Sequence, residues 1–234
     1  MGMKLTPRLE MTAQLLPRGG VLADVGTDHA YLPAALLARG WLDGAIATDI
    51  APGPLERAGE TVRRAELAGR VQLRLGPGLE PVAPEECTAV AIAGMGGETI
   101  CEILQNAPWT RAGRHALVLQ PMTAPEKLRA FLYANGYAIE QERLAQEGEK
   151  IYLALRVKGG GRAERREERD CLLSPALAGD PLRDDYYGML AARYARAAAG
   201  IRQAAQNRAL RPDEEYVLAL WDKLRPWTDK EESR

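Results

Sequence analysis

The chain has 234 residues, of which 46% are hydrophobic and 27% charged, with a formal net charge of −1. That is room for one ordinary domain plus an appendage, with a core of useful size, and the near-neutral balance excludes a bulk electrostatic pull on nucleic acid, leaving only local patches for that purpose. Cys87, Cys101 and Cys171 stand far apart and form no CxxC pair, which argues against both a disulfide framework and a zinc site.

Up to about Arg156, short apolar runs alternate with longer amphipathic ones. GVLADV (20–25), GAIATDI (44–50), RVQLRL (70–75), CTAVAIAG (87–94) and HALVLQ (115–120) read as strands bounded by Gly, Pro or Asp. Between them Tyr31–Arg39, Pro54–Leu67, Glu98–Asn106 and Pro125–Ala134 carry apolar residues at helical spacing. Such alternation builds βαβ units and a parallel sheet. YAIEQERLAQEGEKIYLALRVK then changes rhythm, reading as two strands joined by a polar turn, an antiparallel pair that closes the sheet.

GGGR at 159–162 reads as a flexible hinge. Beyond it DDYYGMLAARYARAAAGIRQAAQNRAL predicts one helix, with Tyr187, Leu190, Tyr194 and Ala198 on one face. DEEYVLALWDKLRPW predicts a second, starting at an acidic N-cap after Pro212. The expected division is therefore 1–158 and 159–234, the second unit being an antiparallel helical pair. From Arg156 to Arg211 there are twelve Lys or Arg and seven Asp or Glu. That excess fits either solvated helix faces or a grip on a phosphate backbone. The opening MGMKLTPRLE lacks the apolar core of a signal peptide, and no run approaches the roughly 18 apolar residues of a membrane span, so a cytoplasmic protein is expected.

An open α/β sheet binds its ligand beyond the carboxyl ends of its strands. The first strand ends in Asp24-Val-Gly26-Thr27-Asp28-His29-Ala30. Gly26 permits a tight turn and close backbone approach, but the later glycines of a dinucleotide loop are missing. An acid at Asp28 repels a diphosphate and suits a cationic or zwitterionic ligand, such as the amino group and sulfonium of S-adenosylmethionine. Asp49, twenty-five residues after Asp24, is placed to accept from a ribose diol or to cap the following helix. Gly76 and Gly78 follow the third strand in a loop that could lie against an adenine ring, and Ile92-Ala93-Gly94-Met95-Gly96-Gly97 forms a glycine-rich elbow without a P-loop lysine. Pro121 forces Gln120 into an extended conformation, which either aims its amide at the pocket or simply ends the strand.

The stretches ADVGTDHAYLP, GPLERA, AIAGMGGETI, LVLQP and QEGEKIY together resemble the bacterial tRNA (adenine(22)-N1)-methyltransferases, over nearly the whole chain. The resemblance implies a Rossmann-like, seven-stranded class I methyltransferase sheet with a small C-terminal α-helical, coiled-coil-like domain that binds tRNA. It implies S-adenosyl-L-methionine as cofactor and N1-methyladenosine as product. By the same resemblance Asp24, Gly26, Thr27, Asp28, His29, Ala30 and Tyr31 form the methionine-side cofactor loop. Asp49 with Ile50 serves the ribose, Gly76, Pro77 and Gly78 the adenine, and Ala93, Gly94 and Met95 the wall near the methyl donor. Arg8, Tyr31, Arg193, Arg196 and Arg202 are candidate tRNA contacts, with Arg208 beside them. A monomer is expected, with tRNA as partner and neither membrane nor metal.

Two departures stand out. The family often reads GDGL where this chain has Gly76-Pro77-Gly78-Leu79, so an acid expected at the adenine amino group is absent, and it often reads LQPN where Met122 stands. These departures motivate an alternative, an RNA-binding protein of weak or no catalysis that keeps the fold; an NAD-dependent oxidoreductase is disfavoured by the missing glycine fingerprint. Adenine N1 carries a lone pair in the neutral base, so attack on a methyl group needs placement more than deprotonation. Asp28, His29 and Gln120 are the catalytic candidates by position. His29 has three readings: pocket wall, proton carrier, or packing at a helix start. With only His29 and His115 in the chain, no metal site is expected.

Overall fold

The computed structural model describes residues 3–228. In chain order its main elements are α1 (Pro7–Leu15), β1 (Val21–Val25), α2 (Tyr31–Ala38), β2 (Gly44–Asp49), α3 (Pro52–Arg64), β3 (Val71–Leu75) and β4 (Ala89–Gly96). They continue as α4 (Gly97–Asn106), β5 (Ala116–Thr123), α5 (Pro125–Ala134), β6 (Ala138–Glu147), β7 (Lys150–Lys158), α6 (Arg183–Ala204) and α7 (Pro212–Leu224). The strands form one seven-stranded sheet in the order β3-β2-β1-β4-β5-β7-β6. β1 to β5 run parallel; β7 lies antiparallel between β5 and β6, so the closing hairpin folds its second strand inward. This is the seven-stranded Rossmann-like sheet that the resemblance implies, with the parallel strands that the alternation predicts.

Strand periodicity sorts side chains onto two apolar layers. Ala23, Val25, Val90, Ile92, Leu117 and Leu119 point into one layer, with α4 and α5. Leu22, Ala89, Ala91 and Val118 point into the other, with α1, α2 and α3. The sequence pattern does not announce α1. Its start is local: Thr6 accepts at Oγ1 from the N–H of Leu9, and Pro7 occupies the first turn, where no N–H is needed. β5 runs on past Gln120 through Pro121 because β4 bulges opposite it, between Ala93 and Met95, so the missing N–H of Pro121 breaks no regular ladder.

The glycine run at 159–161 is not a flexible hinge. Gly161 donates its N–H to Gly136 O at 2.8 Å, and Glu164 N–H reaches Tyr133 O at 2.9 Å. A Cβ on Gly159 would stand 2.5 Å from Thr110 O, so the strip is glycine because backbone packs on backbone there. Beyond it the fully buried Arg129 pairs with Glu142 at 2.8 and 2.9 Å and donates to the carbonyls of Cys171 and Leu172, pinning the incoming chain to α5 and β6. The apolar layer that begins on the sheet continues through Leu172, Leu177, Tyr187, Leu190, Leu220 and Leu224. Residue 158 therefore ends the sheet but not the core.

α6 stops at Ala204, short of the expected Leu210, which is exposed. α7 begins at Pro212 with Arg211 as N-cap, not an acidic cap: Glu214 reaches back to the Arg211 N–H at 2.9 Å. The same carboxylate takes both Arg208 nitrogens at 2.7 and 2.6 Å and is held at a pKa of about 2, chiefly by that guanidinium. Among the described residues no helix is long and apolar enough to cross a membrane.

Candidate active site

The turn after β1 is built on strained backbone. Gly26 and Thr27 both donate to Thr48 O on β2, at 2.8 and 3.0 Å. Gly26 has φ +68°, and the non-glycine residues Asp28 and Ala30 sit at +46° and +53°. Left-handed non-glycine residues clustered in one loop mark a turn whose shape is specified from outside. Beneath it Asp24 is buried in β1, accepts Thr27 Oγ1 at 2.5 Å, and has its pKa pushed up to about 6 by burial, against the opposing Thr27 bond.

Beyond the carboxyl ends of β1, β2 and β4 lies a pocket of about 290 Å³. Of the residues singled out in the sequence, Gly26, Asp49, Ile50, Pro77, Gly78 and Met95 line it. Asp49 combines both of its readings, since Oδ1 accepts the Ala51 N–H at 3.0 Å ahead of α3 while the residue stays on the pocket wall. Gly78 is required: its φ is +56°, and a Cβ would meet Ile103 on α4 at 3.1 Å. Thr48 Oγ1 donates to Gly78 O at 2.9 Å, and the Gly76 N–H to Asp49 O at 2.9 Å, which fasten this loop to β2.

Sequence reasoning missed the α4 wall and Glu80. Thr99, Glu102, Ile103 and Asn106 recur at the three- and four-residue spacing of one helix face, and that face lines the pocket. The spacing behind AIAGMGG was the available signal. The lining holds three carboxylates, Asp49, Glu80 and Glu102, and no Lys or Arg. The Asp28 side chain lies outside the lining and pairs with Arg57 of α3. Three acids without a cation make the lining itself unfavourable to a diphosphate and favourable to a positive charge.

Thr27, His29, Ala30 and Tyr31 also lie outside the lining. His29 stacks on Tyr31, ring centroids 5.0 Å apart and ring planes nearly parallel, and faces Asp28 at 3.6 Å. Tyr31 is 45% exposed, so the pair forms an aromatic surface beside the loop.

Gln120 does not aim at the pocket. It is fully buried, and its Oε1 accepts from the Gly94 N–H at 3.0 Å and from Arg8 Nη1 at 2.8 Å. It thereby holds the β4 bulge, where Gly94 has φ +83°, and so sets the path of Ala93 and Met95. Arg8 is committed to that bond and lies over the Tyr152 ring, 5.8 Å from its centroid. On α6, Arg193 and Arg196 are exposed one turn apart, whereas Arg202 follows Arg193 by two and a half turns and so faces the other side. Arg208 is engaged with Glu214. Among the described residues no group of His, Cys, Asp and Glu is placed to hold a metal.

Residues with these strand ends, on this sheet, define a Rossmann-like methyltransferase domain, and a methyltransferase-domain family model matches residues 5–155. The tRNA (adenine(22)-N(1))-methyltransferase of Bacillus subtilis is 38% identical over 160 residues, 68% of this chain and 67% of that protein. The crystal structure of the B. subtilis m1A22 tRNA methyltransferase TrmK superposes with a TM-score of 0.80 at 30% identity, over 97% of this chain and 98% of the other. A Streptococcus pneumoniae structure in complex with S-adenosyl-L-methionine matches with a TM-score of 0.77 at 28% identity, over 96% and 99% of the two chains. The chain belongs to the bacterial tRNA (adenine(22)-N(1))-methyltransferase family.

Proposed function

We propose that this chain transfers a methyl group from S-adenosylmethionine to N1 of adenosine 22 in tRNA. The observation that carries this reading is the acid-lined, cation-free pocket beyond β1, β2 and β4. It matches a ligand that combines a ribose, a purine and a net positive charge, and its volume suits one nucleoside better than a dinucleotide. Family membership supports the same reading.

The cofactor supplies a methyl group on a sulfonium, displaced in line by a nucleophile. The residues of this chain bind and orient. Asp49 accepts from the ribose hydroxyls. Gly26, without a Cβ, leaves room for the Met95 side chain, which walls the reacting side. N1 lies on the base-pairing edge, so the adenine must leave its helix to react. The stacked His29–Tyr31 surface after the end of β1 and the exposed Met122, the penultimate residue of β5, offer apolar faces to an unpaired base. No general base is assigned, since the attacking nitrogen is already unprotonated. The exposed Arg193 and Arg196 supply cationic contacts to RNA phosphate.

The test is transfer of tritiated methyl to tRNA transcripts, followed by nucleoside analysis. Label is expected as N1-methyladenosine and is lost when position 22 is changed to guanosine. A protein that binds both S-adenosylhomocysteine and tRNA yet leaves the transcripts unlabelled is an idle RNA binder, and the proposal fails.

A further inference from the structure

We propose that the cavity at the amino-terminal edge of the sheet, lined by Arg18, Arg114 and Lys158, binds a phosphoryl oxyanion. β4 spans 8 residues between this edge and the cofactor pocket, a distance of about 25 Å. The inference stands without the methyl-transfer reading above.

The cavity has a volume of about 390 Å³, enough for a small polyanion. Three of its lining residues directly precede parallel strands: Gly20 before β1, Thr88 before β4 and His115 before β5. A Cβ on Gly20 would stand 2.2 Å from Thr88 Oγ1, so the starts of β1 and β4 meet closely only with glycine there. Register supplies the cations of β7. Lys158 pairs with Ala116 in the ladder, and Arg156, two residues earlier, shares its face of the sheet.

Arg18, Arg114, Arg156 and Lys158 face a single carboxylate, Glu140, across this lining. Arg156 binds that carboxylate at 3.1 Å, which leaves three cations uncompensated. Arg114 and Lys158 are exposed, and among the described residues they make no hydrogen bond and no ion pair. The Arg18 guanidinium lies over the Trp41 ring, 3.3 Å from its centroid, a contact that holds the fork in place and uses none of its N–H donors. Asp43, beside Gly19, is occupied by the Gly20 N–H at 2.7 Å. His115 is a second, independent observation. It is 4% exposed, and because the Pro84 carbonyl only accepts, Nε2 donates to it at 2.7 Å. Nδ1 is left buried without a hydrogen-bond partner among the described residues, and such an atom is ordinarily satisfied by a ligand or an ordered water. Guanidinium forks match an oxyanion, and three mutually repelling cations on one cavity favour a multiply charged phosphoryl group over a monocarboxylate. The acid-lined pocket at the other end of the strands disfavours the same ligand.

A free phosphate compound and an RNA backbone present the same chemistry, and two arms of one experiment separate them. In the first, the full chain is titrated with inorganic pyrophosphate by calorimetry at low salt. Wild type is expected to bind, and the double variant Arg114→Ala/Lys158→Ala to bind about tenfold or more weakly, having lost two charge-assisted contacts. Arg63→Ala/Arg64→Ala removes the same charge from the exposed end of α3 and should change the affinity less than about twofold, as befits distant screened charges. Urea melts check that both variants fold like wild type. In the second arm, tRNA binding is followed against salt. If backbone phosphates fill the cavity, Arg114→Ala/Lys158→Ala lowers the slope of log K on log salt by about two, and pyrophosphate competes with tRNA. If a free phosphate compound fills it, the slope is unchanged. No binding of pyrophosphate by wild type, equal binding by Arg114→Ala/Lys158→Ala, or an equal loss in the α3 control overturns the proposal.

Discussion

The terminal methyl of Met95 occupies the space above Gly26: a Cβ built on Gly26 would lie 2.1 Å from Met95 Cε. β1 and β4 are neighbours in the sheet, and the bulge that Gln120 holds at Gly94 delivers Met95 to this spot. The reacting end of the pocket is thus shaped by an absent side chain on one strand and a flexible one on the next. Gly26→Ala is expected to weaken S-adenosylhomocysteine binding about tenfold or more and to lower stability by about 1–2 kcal/mol, the cost of φ +68° for a residue with a Cβ. Adding Met95→Ala should relieve the steric part and leave the backbone part. Titration calorimetry and urea melts of the four proteins in that cycle measure the split; strictly additive effects would show that the contact is irrelevant.

Asp24 gives the fold a pH dependence of definite sign. Its folded-state pKa stands near 6 against an ordinary 3.8, because burial disfavours the charged form. Between those values the native state holds a proton that the unfolded chain has released, so the Asp24 contribution is favourable below about pH 4 and is lost as the pH rises through 6. The loss amounts to about 3 kcal/mol, at about 1.4 kcal/mol per pKa unit. Asp24→Asn is expected to flatten the urea-melt stability profile across that window and to gain on wild type at pH 7.5. An unchanged slope would falsify the assignment.

Asp28 and Asp49 make opposite predictions about the cofactor. Asp28 is paired with Arg57 outside the pocket, and Asp49 lines it. Asp49→Ala should cost at least about tenfold in S-adenosylmethionine affinity, the loss of a charge-assisted hydrogen bond to the ribose, and Asp28→Ala less than about threefold, as befits an exposed ion pair. Calorimetry on both variants decides, and the reverse ranking would return the ligand charge to the β1 turn.

The glycine run distinguishes a packed tie from a hinge. Gly159→Ala drives a Cβ to 2.5 Å from Thr110 O and 2.6 Å from Arg111 O, both backbone atoms that yield little. It should cost about 3 kcal/mol or more, at the upper end of overpacking effects. Gly160→Ala meets only Gly113 Cα at 3.9 Å and pays for φ +82° alone, about 1–2 kcal/mol. Urea melts separate the two; equal, small effects would restore the hinge.

Periodicity and punctuation determined the parallel strands and their helices, because alternation of apolar residues is a local property of the chain. They also located Gly26, Asp49, Pro77 and Gly78 at strand ends, since an open α/β sheet gathers its ligand residues there. The family itself was legible in ADVGTDHAYLP, AIAGMGG and LQP taken together. What the strand-end rule could not reach was any residue whose role depends on a distant partner. Gln120 looked like a pocket amide until the fold buried it between Gly94 and Arg8. Asp28 looked like a free acid until α3 brought Arg57 against it. GGG read as a hinge because glycine permits both freedom and close packing, and only the backbone of residues 110–113 and 136 chose between them. Glu80 and the α4 face carry no strand-end signature; they entered the site when Ile103 came down on Gly78. Local pattern sets which elements form, while burial and pairing, which act between residues far apart in the chain, decide which side chains remain free to bind.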